Sequence, residues 1–204
     1  MKNELNPVDV IEKLKSKNGH IGNDLNIPED VKKRAQKLCW EYNRTAPDDT
    51  EIRYGILKKL FGECHEMTMI EPDFNCDYGF NIHTHGLTVV NHNCVILDTS
   101  PVDIGANVFI APGVCISCVG HAINAEQRAQ AIITSKPITI GNDVWIGANS
   151  TVLGGVKIGD GSIIGAGSVV NRDIPANVIA AGVPCKVIRE ITEEDKIKQA
   201  DIVF

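Results

Sequence analysis

Aromatic residues are scarce in this 204-residue chain, where Phe, Trp and Tyr together make up 5% of the sequence. A core of ordinary size must therefore be built from Val, Ile, Leu and Ala, which argues against a sandwich or barrel rich in aromatic strands. Apolar residues at 43% and charged residues at 23% are close to globular averages. Length and composition favour one domain, with or without a small appendage.

The chain also lacks a surplus of positive charge, since it has 20 Lys and Arg but 26 Asp and Glu. Nucleic acid is therefore not expected as a partner, because clustered positive charge is what binds a phosphate backbone. There is no apolar run of about 18 residues to span a membrane, and residues 1–7 contain no apolar stretch typical of a secretory signal. The seven cysteines are an odd set that favours free thiols. We expect a cytoplasmic protein.

Glycine is plentiful but unevenly distributed, because residues 71–190 hold 14 of the 18 glycines. Residues 1–70 hold only 4 glycines but 12 basic and 12 acidic residues, and their apolar residues recur at helical spacing, with a helix start at Pro28. We therefore predict an N-terminal helical segment at 1–70, a glycine-rich unit at 71–190 and a tail at 191–204. The capping chemistry of Thr192 predicts a short C-terminal helix in that tail.

The glycine-rich unit repeats every six residues. Six consecutive hexapeptides each begin with Ile or Val, at Ile140, Ile146, Val152, Ile158, Ile164 and Val170. Repetition at this period predicts a mainly β protein, a parallel β-helix in which three hexapeptides form one coil of a triangular prism. The first residue of each hexapeptide then points inward and stacks on its equivalent 18 residues later, about 4.8 Å away. A narrow aliphatic axis of this kind explains why aromatic residues are few.

The six-residue register is lost between Ile116 and Ile138. A loop at about 117–137 is therefore expected to protrude from the prism, and long loops on a rigid scaffold commonly carry function. The loop contains His121. Imidazole is the side chain best suited to proton transfer near neutral pH.

Several stretches resemble the maltose and galactoside O-acetyltransferases, which are hexapeptide-repeat enzymes that use acetyl-coenzyme A. The likeness runs from about residue 20 to 190 and is carried by residues 76–82 (CDYGFNI), 91–98 (NHNCVILD), 120–121 (GH), 136–147 (KPITIGNDVWIG) and 181–189 (AGVPCKVIR). The resemblance implies a left-handed β-helix and a homotrimer with active sites between subunits. It also implies direct transfer of an acetyl group to a sugar hydroxyl, with no metal required.

The resemblance assigns roles to individual residues. His121 matches the catalytic histidine, which takes the proton of the acceptor hydroxyl and returns it to the departing thiolate. Asn91 matches a residue at the reaction centre, where its amide can stabilise an oxyanion. Acceptor-binding positions fall on Asp24, Asp77, Asn91 and Thr99, the last of which is Asp in some members. Either Glu126 or a backbone carbonyl is expected to orient His121. Position 122 is Ala where the family usually has Pro, so the sequence does not decide how rigid the loop is.

Contacts to coenzyme A are implied at two groups of residues. Small residues on stacked turns would let the pantetheine arm lie close to the backbone, namely Gly147, Ala148, Gly165 and Ala166, although simple steric demand at corners would also explain them. Trp145 is expected to pack against the cofactor, the alternative being an exposed aromatic residue on a face of the prism. Residues matching contacts to the nucleotide end, where positive charges would meet phosphate, are Asn171, Arg172, Lys186 and Arg189.

Alternatives to sugar acetylation stay open. Other acceptors are an amino sugar, a drug hydroxyl or serine, although serine transferases carry a larger helical domain. A non-catalytic trimeric scaffold is a further alternative. His83, His85 and His92 are not expected to bind zinc, because a zinc enzyme of this fold would need a second histidine at position 126, which is Glu. Cys115 and Cys118 form a lone C-x-x-C, which favours two independent positions.

Overall fold

A computed structural model describes residues 6–204, which are dominated by short parallel strands stacked into a β-helix. The α-helices are α1 (Pro7–Leu14), α2 (Glu29–Tyr42), α3 (Thr50–Leu60) and α4 (Ala125–Ala129). The strands are β1 (His20–Asn23), β2 (Thr68–Ile70), β3 (Phe74–Cys76), β4 (Ile82–Thr84), β5 (Thr88–Val90), β6 (Cys94–Leu97), β7 (Val102–Ile104), β8 (Val108–Ile110), β9 (Cys115–Ser117), β10 (Val119–His121), β11 (Ile132–Ser135), β12 (Ile138–Ile140), β13 (Trp145–Ile146), β14 (Thr151–Leu153), β15 (Lys157–Ile158), β16 (Ile163–Ile164), β17 (Val169–Val170), β18 (Val178–Ala181) and β19 (Lys186–Glu190).

Three parallel sheets form the faces of a triangular prism. Face 1 consists of β4, β7, β12 and β15, and face 3 of β3, β6, β9, β14 and β17. Face 2 consists of β2, β5, β8, β13, β16 and β18, with β19 added antiparallel at its end. From β2 to β9, and again from β12 to β17, successive strands along the chain lie on the three faces in turn. The β-helix predicted from the hexapeptide repeat is therefore confirmed.

The first residue of each hexapeptide fills the axis of the prism. Ile140 and Ile146 are almost completely buried and lie in register with Ile158 and Ile164 of the next coil. Burying each such side chain stabilises the fold by roughly 1.5–3 kcal/mol. The 18-residue step predicted for these coils is the step that the structure has.

The coils that precede the loop are longer than predicted. Ile82 pairs with Val102, a step of 20 residues rather than 18. The extra residues fall at the corner between face 3 and face 1. The protruding loop is inserted at this same corner, and Val102 therefore pairs with Ile138 of the next coil at twice the 18-residue step. We call it the loop corner; it comprises residues 77–81, 98–101, 118–137, 154–156 and 171–173.

The protruding loop folds as an antiparallel hairpin, with β10 and β11 as its strands and α4 at its tip. Strand β1, from the N-terminal segment, pairs with the free edge of β11, so that Ile21 lies opposite Thr134. We call the resulting three-stranded sheet with α4 the hairpin arm. A segment that leaves the repeat thus gains structure of its own and is held rigidly at the loop corner.

The N-terminal helices close one end of the prism, as a solenoid requires. Side chains of α2 and α3, among them Tyr42 and Leu60, belong to the same hydrophobic cluster as Phe74 and Ile82 of the first coil. The side chain of Asn43, directly after α2, accepts a hydrogen bond from the N–H of Phe74 and donates to its carbonyl, both at 2.9 Å. This double contact fixes α2 against β3.

The C-terminal tail differs from the predicted short helix. Residues 192–204 are all exposed and contain only two short 3-10 turns, Glu193–Asp195 and Gln199–Asp201. Asp195 does accept a hydrogen bond from the N–H of Thr192 at 2.9 Å, so the capping chemistry lies where the sequence places it. With no apolar side chain buried against the prism, a longer helix lacks the packing that would stabilise it. No helix among residues 6–204 is long and apolar enough to cross a membrane.

Candidate active site

His121 is the last residue of β10 and its side chain is exposed. It lies opposite Ile133 of β11, and Ser135, two residues further along β11, projects from the same face of the hairpin arm because side chains alternate along a strand. The Ser135 hydroxyl lies 2.7 Å from the hydroxyl of Thr99. His121 therefore projects from the face of the arm that covers the loop corner.

The backbone that follows His121 is tightly held. The N–H of Ala122 donates to the carbonyl of Ile132 at 3.0 Å, and the guanidinium of Arg128 donates to the carbonyls of Ala122 and Ile123 at 2.9 and 3.0 Å. The turn is thus rigid without a proline at position 122, which would lack the N–H for the first of these bonds. Arg128 lies in no motif, so sequence reasoning missed it.

The imidazole of His121 has no hydrogen-bond partner among residues 6–204. Glu126, one of the two groups expected to orient it, lies exposed in the first turn of α4 and makes no contact to the ring in the described chain. Both ring nitrogens are therefore open to a substrate or to a neighbouring molecule.

A buried carboxylate organises the loop corner below the arm. Asp98 is fully buried and accepts hydrogen bonds from the N–H groups of Tyr78 at 2.9 Å and Asn81 at 3.3 Å. Burial raises the pKa of the Asp98 carboxyl, while these N–H groups oppose the rise. The turn that carries Asp77 is fixed by these bonds.

Two of the predicted acceptor-binding residues share one polar patch at this corner. Asp24 follows β1 on the hairpin arm, and its carboxylate binds the ammonium of Lys32 at 2.8 Å. Burial raises the pKa of the Asp77 carboxyl to about 6, the charge of Asp98 adds to the rise, Lys32 opposes it and Asp24 raises it further. The carboxylate of Asp24 thus lies close enough to Asp77 to raise the pKa of Asp77, and the ammonium of Lys32 lies near both carboxylates.

Thr99, the third predicted acceptor position at this corner, is buried. Its hydroxyl pairs with that of Ser135, which also donates to the carbonyl of Cys118 at 3.2 Å. Within a single chain the side chain of Thr99 therefore ties the hairpin arm to the prism and faces no solvent.

Asn91 and the small residues lie at a different corner, between face 2 and face 3. Asn91, Gly147 and Gly165 begin this corner in different coils, and their N–H groups donate to strand carbonyls of the next coil at 2.7–2.8 Å. We call it the small-residue corner; it comprises residues 91–93, 111–114, 147–150 and 165–168, and so includes Ala148 and Ala166. A Cβ atom at Gly147 would lie 2.5 Å from the backbone nitrogen of Ala166, so close stacking of the coils requires glycine there. Trp145 precedes this corner on the outside of face 2.

The predicted contacts to the nucleotide end lie near the C-terminal end of the prism. Asn171 and Arg172 are exposed at the last turn of the loop corner, and Lys186 and Arg189 are exposed on β19. The guanidinium of Arg189 binds the carboxylate of Asp195 at 2.7 Å. A phosphate would therefore compete with Asp195 for Arg189.

The remaining histidines do not converge. His83 and His85 both approach the carboxylate of Asp103, at 3.3 and 3.5 Å, whereas the His92 ring lies 2.7 Å from the carbonyl of Pro72. Within residues 6–204 no group of three or more His, Cys, Asp or Glu is placed to hold a metal ion. Cys115 and Cys118 are likewise independent, because the first lies on the outside of face 3 and the second is buried against the carbonyl of Ser100.

Hexapeptide coils with a histidine-bearing arm inserted at one corner define a hexapeptide-repeat transferase. Residues 137–172 match the family described as bacterial transferase hexapeptide (six repeats). Residues 29–65, which include α2 and α3, match the maltose acetyltransferase hexapeptide capping motif. Both the coils and the helices that close them thus have counterparts in known proteins.

Comparison with individual proteins narrows the class. The chain is 47% identical over 163 residues to the galactoside O-acetyltransferase of Escherichia coli K12, covering 80% of each chain. A galactoside acetyltransferase solved in complex with coenzyme A is similar with a TM-score of 0.86 and 40% identity, over 96% of both chains. A maltose O-acetyltransferase from Clostridium difficile 630 is similar with a TM-score of 0.84 and 37% identity, over 94% of this chain and 100% of that one. The chain belongs to the galactoside and maltose O-acetyltransferase family of acetyltransferases.

Proposed function

We propose that this protein transfers an acetyl group from acetyl-coenzyme A to a hydroxyl of a small sugar, with His121 as the general base. The observation that carries the proposal is the placement of His121, whose imidazole is exposed at the end of a rigid arm above the corner that holds Asp77. Membership of the family supports acetyl transfer, and the carboxylates beside the arm support a polyhydroxylated acceptor.

The carboxylates of Asp24 and Asp77 are suited to binding an acceptor sugar, because carboxylate oxygens accept hydrogen bonds from hydroxyl groups. The pKa of Asp77, raised to about 6 by burial, leaves this carboxyl ionised at neutral pH. Asp77 therefore acts as an acceptor of hydrogen bonds where the enzyme works and loses part of that capacity in mild acid.

The reaction needs a base because a sugar hydroxyl is a weak nucleophile. His121 takes the hydroxyl proton as the oxygen attacks the thioester carbonyl, and the amide of Asn91 donates a hydrogen bond to the oxyanion that forms. When the carbon–sulfur bond breaks, the imidazolium returns its proton to the departing thiolate. The transfer is direct, so no acetylated side chain is formed.

Acetyl-coenzyme A binds as a substrate along the small-residue corner. Close stacking around Gly147 leaves a smooth edge on which an extended pantetheine chain can lie, with Trp145, Ala148 and Ala166 beside it. The nucleotide end then reaches the C-terminal end of the prism, where its phosphates meet Arg172, Lys186 and Arg189, with Asn171 as a neutral partner.

A single chain does not bring these groups together. His121 lies on the arm at the loop corner and Asn91 lies at the small-residue corner. The six-residue side of face 3, which is about 20 Å long, lies between these two corners. Only the arm of one copy against the small-residue corner of another completes the site. We infer that the working form is a homotrimer, as the resemblance to the acetyltransferase family implies, and a heterologous contact that closes forms a ring of this kind.

Exposed apolar side chains support association of copies. Met69, Phe109 and Trp145 point outward from three of the rungs of face 2 and are 53%, 46% and 50% exposed. The partly exposed side chain of Val89 lies on the rung between Met69 and Phe109. An apolar strip of this length is unusual on a monomer and typical of an interface. It adjoins the small-residue corner, where the second copy has to lie.

Thiol release from acetyl-coenzyme A in the presence of a panel of sugars tests the proposed activity. We expect His121→Ala to lower kcat by about 10²–10⁴-fold, with calorimetric binding of acetyl-coenzyme A unchanged. His85→Ala, at the residue directly after β4, should be as active as the wild type. A fully active His121→Ala variant contradicts the role of His121. Turnover with serine, an amino sugar or a drug hydroxyl but no sugar contradicts the acceptor class, and absence of binding favours a non-catalytic scaffold.

A further inference from the structure

Two cysteines meet where helix α2 lies against the first coil. The sulfur atoms of Cys39, in α2, and Cys76, the last residue of β3, are 3.7 Å apart. All seven cysteines lie in the described part of the chain, and this is the sulfur–sulfur contact that it records. The sulfurs of Cys94 and Cys118, by contrast, approach backbone carbonyls.

The approach of the two thiols is imposed by the fold. Asn43 fixes the end of α2 to Phe74 through the two hydrogen bonds to its N–H and carbonyl. Cys39 lies four residues before Asn43, about 6 Å along the helix axis. Cys76 lies two residues after Phe74, about 6.6 Å along the strand. The helix and the strand therefore advance by equal distances from one anchored point, and the two sulfurs are held face to face.

We propose that Cys39 and Cys76 form a thiol-oxidation site, at which hydrogen peroxide produces an intramolecular disulfide between α2 and the end of β3. Peroxide first converts the Cys39 thiol, through its thiolate, to a sulfenic acid and is reduced to water. The sulfur of Cys76 then attacks the Cys39 sulfur, the new S–S bond forms and hydroxide leaves, which takes up the Cys76 thiol proton to give a second water. Two thiols are oxidised and one peroxide is reduced to two waters.

The chemistry of the pair suits these steps. The hydrogen bond from Cys76 lowers the pKa of the Cys39 thiol, against the effect of burial. The same contact, burial and the charges of Asp98 and Asp77 raise the pKa of the Cys76 thiol. Cys39 is therefore the member of the pair that supplies the thiolate, and because it is 2% exposed, peroxide reaches it past the partly exposed Cys76.

A disulfide at this place would act on the acceptor site, because Cys76 directly precedes Asp77. Bond formation brings the sulfurs from 3.7 Å to about 2.05 Å and draws the start of the loop corner toward α2. Asp77 moves with it while the small-residue corner does not. The KM for the sugar is then expected to rise by about threefold or more, with the KM for acetyl-coenzyme A unchanged, and this part of the inference rests on the proposed function.

Mass spectrometry of the full-length protein after peroxide treatment tests the linkage without any assay of activity. We expect the intact mass to fall by about 2 Da, the mass of two hydrogens, and a proteolytic peptide pair joining Cys39 to Cys76 that dithiothreitol separates. Cys76→Ser and Cys39→Ala should lose this product, whereas Cys115→Ser, which alters a partly exposed thiol on face 3, should keep it.

Oxidation of Cys76 to a sulfinic acid without cross-linking, or linkage of other cysteines, would overturn the site. The effect on function is read from the same samples: an unchanged sugar KM in protein shown to be cross-linked would overturn the coupling to Asp77. Because the cross-link is identified by mass, a protein that acetylates no sugar would contradict the proposed function without touching the thiol site.

Discussion

The guanidinium of Arg128 donates a hydrogen bond to the backbone carbonyl of Ala122, the residue that follows His121, at 2.9 Å. The same Nη1 atom reaches the carbonyl of Ile123 at 3.0 Å. One side chain near the tip of the hairpin arm thereby clamps the turn that presents the proposed general base. The rigidity that a proline would lend by restricting one dihedral angle is supplied here by hydrogen bonds.

Replacement of Arg128 by Met should lower kcat by about 10–100-fold, because a shift of about 1 Å in the position of a catalytic base can slow the reaction by that much. Calorimetric binding of acetyl-coenzyme A should not change, since the guanidinium of Arg128 bonds to the backbone of its own arm and is not among the residues proposed to contact acetyl-coenzyme A. Gln127→Met, at the neighbouring exposed position of α4, is the matched control. Wild-type kcat in Arg128→Met would show that the clamp does not position His121.

Asp77 makes stability depend on pH. Its pKa is raised from 3.8 to about 6 in the folded chain, so the folded state binds the proton more tightly than the unfolded state. The contribution of this tighter proton binding to the free energy of unfolding is fully present below about pH 4. It is lost as the pH rises through about 6, which lowers the free energy of unfolding by roughly 2–3 kcal/mol. Asp77→Asn should therefore exceed the wild type in free energy of unfolding by about that amount at pH 8 and by much less at pH 4.

Urea denaturation of both proteins at the two pH values measures this difference. A gap between Asp77→Asn and the wild type that is equal at both values would contradict the raised pKa. The same variant should show a higher KM for the sugar, since an amide cannot replace an ionised carboxylate as a double acceptor of hydrogen bonds.

Ala131 ends the turn after α4 with a φ angle of 60°, in the left-handed region. Because a Cβ atom is strained in that conformation, Ala131→Gly should stabilise the protein by about 0.5–1 kcal/mol after the entropic cost of glycine is subtracted. Ala129→Gly, within α4, has no such strain to relieve and should destabilise it by about 0.5–1 kcal/mol. Thermal melting of the two variants gives the comparison, and shifts of the same sign would contradict it.

Asp98 should matter for the shape of the loop corner rather than for chemistry. Removal of its carboxylate in Asp98→Ala leaves the buried N–H groups of Tyr78 and Asn81 without acceptors, a loss of about 2–4 kcal/mol in the free energy of unfolding. Asp98→Asn keeps one oxygen and should lose less. Equal losses in the two variants, measured by urea denaturation, would show that the hydrogen bonds are not what Asp98 contributes.

The repeated part of the fold was predictable because its core has one rule. Every coil buries an aliphatic residue at the same place in the hexapeptide, so the positions of Ile140, Ile146 and Val152 in sequence predict their stacking in space. The protruding loop was predictable for the same reason, since it begins and ends where the register is lost and regained.

The structure at the loop corner could not be predicted from the hexapeptide repeat. Pairing of Ile21 with Thr134 joins segments more than a hundred residues apart without a shared period. The two extra residues in each early coil obey no rule of the repeat, and the burial of Thr99 depends on how the arm folds over it. His121, Asn91, Asp24 and Asp77 were named by resemblance, and their distribution over two corners became visible only in the structure.

In the proposed trimer, His121 of one copy and Asn91 of another form one active site. Mixing experiments test it most directly: the inactive variants His121→Ala and Asn91→Ala are unfolded together in urea, refolded as mixed trimers of about three times the 22.1 kDa chain mass, and assayed for acetyl transfer to sugar. In a random mixture roughly a quarter of the sites combine an intact His121 with an intact Asn91 across a subunit boundary. Recovery of about that fraction of wild-type activity is the predicted result, and activity no higher than that of either variant alone would contradict the account.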